Sequence, residues 1–177
     1  RLIPTPAVRP RMDATADELA GVVDLFGGVT RTELERALSE AAFRADGQTV
    51  DHAALEVAID DALESFALVR YEPASDGDGE TTADGDALLV PGPTAFPVVP
   101  EHAEDVPHIL DIDRRHPDRE RVGEAARERF KDAVADATAE GTDDRLRILL
   151  DVSYDLEAWA PVDLTDERQR LEDALEG

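Results

Sequence analysis

Gly27-Gly-Val-Thr-Arg-Thr-Glu-Leu-Glu-Arg-Ala-Leu38 holds the end of one helix and the start of the next. The glycine pair stops the first helix and allows a tight turn. Thr30 and Glu33 form a capping box, in which the hydroxyl accepts from the Glu33 amide and the carboxylate reaches back to the Thr30 amide. Leu34, Leu38, Ala41 and Ala42 then share one face at helical spacing. Asp46-Gly47 breaks this helix, and Asp51 is placed to cap a third. Leu55, Ala58, Ile59, Ala62, Leu63 and Phe66 form the stripe of that helix.

Two short runs of strand formers follow. Ala67-Leu-Val-Arg-Tyr71 is stopped by Pro73, and Ala87-Leu-Leu-Val90 is stopped by Pro91. Upstream, Thr15 and Glu18 make a second capping box, and Leu19, Val22, Val23 and Phe26 form the inner face of its helix. The spacing predicts three helices and a β-hairpin over residues 13–91, the layout of a winged-helix module. Phe26, Phe43 and Phe66 are expected in its core. The fold class is mainly α (α+β).

Residues 92–177 are expected to be a helical region packed on that module. Pro91 to Pro100 forms an apolar, proline-punctuated connector whose extended path should lie along the protein. A short helix is expected within Glu104 to Asp111, and a long one from His116-Pro117-Asp118 to Gly141, with Val122, Ala126, Phe130, Val134 and Ala137 inward. Thr142 and Thr165 begin two more helices, and Trp159 reads as a packing anchor. Residues 1–12 stand apart. Arg1 to Arg11 contain no carboxylate, and Met12 is the single methionine. They read as a disordered extension or non-native leader.

The net charge is −24, and Lys131 is the single lysine among 18 basic residues. The acids lie on the outer faces of helices whose inner faces are regular, which separates this chain from a disordered acidic tail. The composition suits a cytoplasm of molar salt, where screening shortens self-repulsion to a few ångströms. There is no cysteine, so disulfides and thiolate chemistry are excluded. No apolar run approaches the ~20 residues of a membrane helix, so no membrane role and a cytoplasmic location are expected.

The helix pair invites DNA binding, but the second helix of the pair carries Glu56, Asp60, Asp61 and Glu64 and neither Arg nor Lys. The hairpin tip adds Asp76, Asp78, Glu80, Asp84 and Asp86. Duplex DNA repels such surfaces, so the acidic helix 51–66 and the wing disfavour it. Positive charge gathers instead at Arg114, Arg115, Arg119, Arg121, Arg127, Arg129 and Lys131. This is either a helix laced with ion pairs or an interaction patch for an acidic partner.

His102, His108, Asp111 and His116 are weak metal candidates, since imidazole and carboxylate suit zinc, manganese or iron. Their spacing matches no metal motif, although His108 and Asp111 would share a helical face. Phosphate-loop, dinucleotide, zinc-protease and nucleophile-elbow motifs are all missing. No cofactor or catalytic residue is expected, and the reading leans away from an enzyme.

Four stretches carry a likeness: Leu25 to Leu38, Asp61 to Leu68, Pro107-His-Ile-Leu-Asp-Ile-Asp-Arg-Arg115 and Leu150-Asp-Val-Ser-Tyr-Asp-Leu-Glu-Ala-Trp159. The chain resembles an uncharacterised haloarchaeal protein family, a domain of unknown function. The resemblance implies a source and compartment, not a chemistry. The expected function is a non-enzymatic protein-interaction or regulatory protein with a protein partner or self-association. The alternatives are a winged-helix transcription regulator that meets DNA through the Arg114 to Lys131 region, and a metal-dependent enzyme using the His102–His116 segment.

Overall fold

A computed structural model describes residues 14–47, 49–73 and 87–177. The leader and the acidic hairpin tip lie outside the described residues. The chain is mainly helical with one small antiparallel sheet.

Local hydrogen-bond chemistry sets the first helix ends. Helix α1 spans Ala16–Phe26 and α2 spans Arg31–Asp46, each opened by its complete capping box. Gly27 ends α1 and Gly47 ends α2, both in the left-handed conformation. Helix α3, His52–Glu64, is capped by the Asp51 carboxylate, which accepts from the amides of Ala53 and Ala54.

Phe43 is a correction. It is 67% exposed, although a core role was expected for it. At ~100° per residue, position 43 turns away from Ala41 and Ala42, which are fully buried. The smaller side chains hold the interior.

Phe66 is a second correction, because α3 ends before it. Ser65 is the C-cap, Phe66 has φ 64°, and Ala67 donates to the Ala62 carbonyl at 2.9 Å while Phe66 donates to Leu63 at 3.3 Å. This is the Schellman pattern with phenylalanine where glycine is usual. A non-glycine residue there costs about 1–2 kcal/mol. Burial of the whole ring offsets that cost. The turn swings the ring away from the three-helix core and against Phe130, edge to face at 5.9 Å.

Strands β1 (Leu68–Tyr71) and β2 (Leu88–Pro91) pair antiparallel, with Val69 opposite Val90 and Arg70 opposite Leu89. On the far side of β2, Val29 donates to Leu89 and accepts from it, at 3.1 and 2.7 Å. Side chains alternate across the sheet. Leu68 and Leu89 join the apolar cluster of α1, α2 and α3, while Val69, Tyr71, Leu88 and Val90 join the cluster of the C-terminal helices. Both sheet faces are therefore covered.

The connector after β2 lies along α1. The Phe96 amide donates to the Asp17 carboxylate at 3.0 Å, and the Val98 amide donates to the Asp17 carbonyl at 3.0 Å. Gly21 permits the approach, since a β-carbon there would fall 2.0 Å from the Val98 oxygen. Phe96 nonetheless faces outward, at 79% exposure. The short helix α4 covers only Val106–Ile109. Helices α5 (Arg119–Glu140), α6 (Asp143–Trp159) and α7 (Thr165–Glu176) complete the second cluster. The Asp118 carboxylate caps α5, so Pro117 lies just before the cap rather than inside the helix.

Candidate functional site

Three surfaces carry the sequence-derived candidates. The first is the outward face of α3. Glu56, Val57, Asp60, Asp61 and Glu64 are exposed along it, while Leu55, Ile59 and Ala62 are buried. Asp60 pairs with Arg31 at the start of α2, which ties the two helices together at their solvent side. What remains is an acidic strip whose large apolar residue is Val57, 59% exposed.

The second is the arginine-rich segment, which the fold divides among several tasks. Arg115 is drawn inward. Its guanidinium forks onto Glu33 at 2.6 and 2.9 Å and donates to the Gly28 carbonyl at 3.0 Å. Its amide donates to the Phe26 carbonyl at 2.7 Å. Arg119 stacks over Trp159, 6.0 Å from the ring centroid, and donates to its carbonyl. Arg127 pairs with Glu124 and Lys131 with Glu128 along α5, and Arg121 lies 3.9 Å from Asp118. Arg114 and Arg129 are exposed.

Glu33 thus serves the capping box of α2 and the fork with Arg115 at once. Burial alone would raise its carboxyl pKa. Hydrogen bonds from Arg115 and the Thr30 amide outweigh that and hold it below the usual value. A depressed folded pKa contributes stability that is present above the unfolded pKa, about 4.3 for Glu, and is lost as pH falls through the folded value. Acid unfolding of Glu33→Gln should therefore lack part of the drop that the parent shows below about pH 4. Arg115→Ala should cost about 1–3 kcal/mol at neutral pH, read from urea midpoints at constant KCl. A loss near zero would mean the fork is solvent-screened and idle.

The third surface is the histidine segment. His102, at φ 67°, His108 and His116 are exposed. Helix α4 ends at Ile109, so Asp111 lies beyond it and does not share a helical face with His108. Among the described residues, no group of three or more His, Asp or Glu side chains is placed to hold a metal ion.

A protein family matches residues 17–176, nearly the whole of this architecture from α1 to the end of α7. The chain belongs to DUF7109, a family of unknown function. No curated protein and no solved structure matches it. Among the described residues of this DUF7109 member, no helix is long and apolar enough to cross a membrane.

One surface escapes sequence reading. A cleft of about 440 Å³ runs beside β1, between the end of α3 and α5, and includes Arg70 and Arg129. Strand propensity locates a strand but does not say which helices the tertiary fold brings beside it.

Proposed function

We propose that this DUF7109 member is a non-enzymatic protein-interaction or regulatory protein of a haloarchaeal cytoplasm, built on a winged-helix module that binds a protein partner. The element order α1, Val29, α2, α3, β1, β2 supports the module. So does Val29, which bridges Leu89 where a winged helix carries its third, short strand. The charge of −24, with a single lysine, supports the halophilic setting. Screening is about 3 Å in 1 M salt, so an acidic surface there does not repel neighbouring proteins as it would in dilute buffer.

The observation that carries the reading is the solvent face of α3. In the position of a DNA-recognition helix it presents Glu56, Asp60, Asp61 and Glu64 around exposed Val57. Groove recognition needs donors and positive charge, and of the basic residues between Arg114 and Lys131, Arg115, Arg127 and Lys131 are engaged with carboxylates. Exposed Val57 offers an apolar contact, and the carboxylates around it fit the polar rim of a protein face.

Affinity capture of tagged protein from its own cells in molar KCl, with and without nuclease, tests this. Protein partners should survive nuclease. They should be lost when Glu56 and Asp61 are replaced by Lys and Val57 by Asp, with the fold intact by circular dichroism. Partners that vanish with nuclease would make nucleic acid the ligand, and Arg114 and Arg129 would be the residues to neutralise next.

A further inference from the structure

We propose that the exposed apolar strip from Phe96 to Val99 is a self-association surface, on which a second copy of this chain docks about a twofold axis. The strip lies on the connector along α1, not on α3, and stands whether or not the α3 face binds a partner.

Sequence and backbone shape the strip together. From Ala87 to Pro100 the chain carries no charged side chain, its longest such run. Phe96, Val98 and Val99 are 79, 52 and 42% exposed, and Pro97 among them is exposed too. The strip is tied down from beneath. Asp17 accepts the Phe96 amide on its carboxylate and the Val98 amide on its carbonyl, and Gly21 lets the Val98 carbonyl close onto α1. A segment already held in place loses little freedom on docking.

These features narrow the occupant. The Phe96 and Val98 amides are spent on Asp17, and Pro97 and Pro100 have none, so the strip cannot supply the donors that an added strand needs. It offers side chains, and they are apolar. An occupant that set a carboxylate or guanidinium against them would lose hydration without a compensating bond, a cost that salt screening does not remove. The face required is apolar, uncharged and independent of backbone bonds, and the strip itself is such a face. Phe43, Val57, Ile109, Ile148 and Tyr154, the other large apolar side chains exposed among the described residues, lie spread over α2, α3, α4 and α6 with charged residues close by in sequence. A twofold axis between Pro97 and Val98 lays two strips antiparallel, with Phe96 of each copy against Val99 of the other.

Size and charge set the strength. The exposed strip amounts to a few hundred Å² per copy, less than the roughly 800 Å² per partner of a standard interface. The dimer is therefore weak and concentration-dependent. Each copy carries a charge of −24. Repulsion that reaches about 10 Å in 0.1 M salt opposes docking, and screening to about 3 Å in 1 M salt relieves it. Association should thus strengthen with salt, the reverse of an interface built on ion pairs.

Sedimentation equilibrium of the full chain in molar KCl, over a concentration series, should show a monomer–dimer equilibrium. Phe96→Asp should weaken it at least ~10-fold, and Val57→Asp on α3 should leave it unchanged. Both side chains are exposed, so neither change disturbs the core, and circular dichroism checks each fold. Because the chain has no cysteine, a single introduced one reports proximity. Under copper–phenanthroline oxidation, Val98→Cys, beside the axis, should form a disulfide dimer at least ~10-fold faster than Val57→Cys, at similar exposure. Raising KCl within the range that keeps the fold should tighten the dimer. The proposal is overturned by a monomer at every concentration, by a dimer indifferent to Phe96→Asp, by equal crosslinking of the two cysteine variants, or by a dimer that weakens as KCl rises. None of these outcomes bears on the α3 reading, which concerns capture of a different protein.

Discussion

Phe66→Ala should lower the unfolding free energy by about 3–5 kcal/mol, the range for a buried aromatic truncated to alanine. The ring is 1% exposed and lies edge to face on Phe130. Phe130→Ala, also fully buried, should cost a similar amount. The double variant should fall short of the sum by about 0.5–1.5 kcal/mol, because each single change already removes the ring pair. The backbone supplies a further check. At most positions Gly is worse than Ala, through unfolded-state entropy. At φ 64° the order should reverse, so Phe66→Gly should be no less stable than Phe66→Ala. Urea unfolding in constant KCl measures all four. A cost below about 1 kcal/mol for Phe66→Ala would mean the ring does not seat in the second cluster.

Gly27→Ala is the other large effect. Gly27 has φ 76°, which costs an L residue about 1–2 kcal/mol. Its new β-carbon would also fall 1.9 Å from the Arg115 carbonyl oxygen, a backbone atom that cannot rotate aside. Relieving the clash means moving the segment whose Arg115 amide bonds Phe26 and whose guanidinium forks onto Glu33. Overpacking adds about 1–3 kcal/mol, for a total of about 2–5. Gly47 is the control. It has φ 62°, but an added β-carbon there meets no atom of the described residues within 4 Å. Gly47→Ala should therefore show only the conformational part, about 1–2 kcal/mol. Equal losses at the two glycines would mean that the Arg115 segment yields without cost.

The two glycines also separate what can be read locally from what cannot. Both are legible as helix stops, because a left-handed C-cap favours glycine in any context. That Gly27 also receives the Arg115 backbone is not legible, since the two residues are far apart in sequence. The arginine-rich segment divides in the same way. Its Glu124–Arg127 and Glu128–Lys131 pairs follow from helical spacing. The fork from Arg115 to Glu33 and the stacking of Arg119 on Trp159 join distant elements. A segment that reads as one positive patch is thus spent partly on internal contacts. His108 and Asp111 fail as a pair for a local reason, the early end of α4.

By itself the sequence determined the helices, their caps and breaks, the two strands and the charge, because these depend on hydrogen bonds and side-chain periods spanning a few residues. The capping boxes at Thr15 and Thr30 and the cap at Asp51 are of this kind. Only the tertiary structure decided that Phe43 faces solvent, that Phe66 leaves its helix for Phe130, that the hairpin is covered on both faces, and that Val29 bridges the far side of β2. Each depends on which distant surface arrives to exclude water or to complete a ladder. An apolar side chain or an amide group carries the need for a partner, but the identity of that partner is a property of the assembled fold.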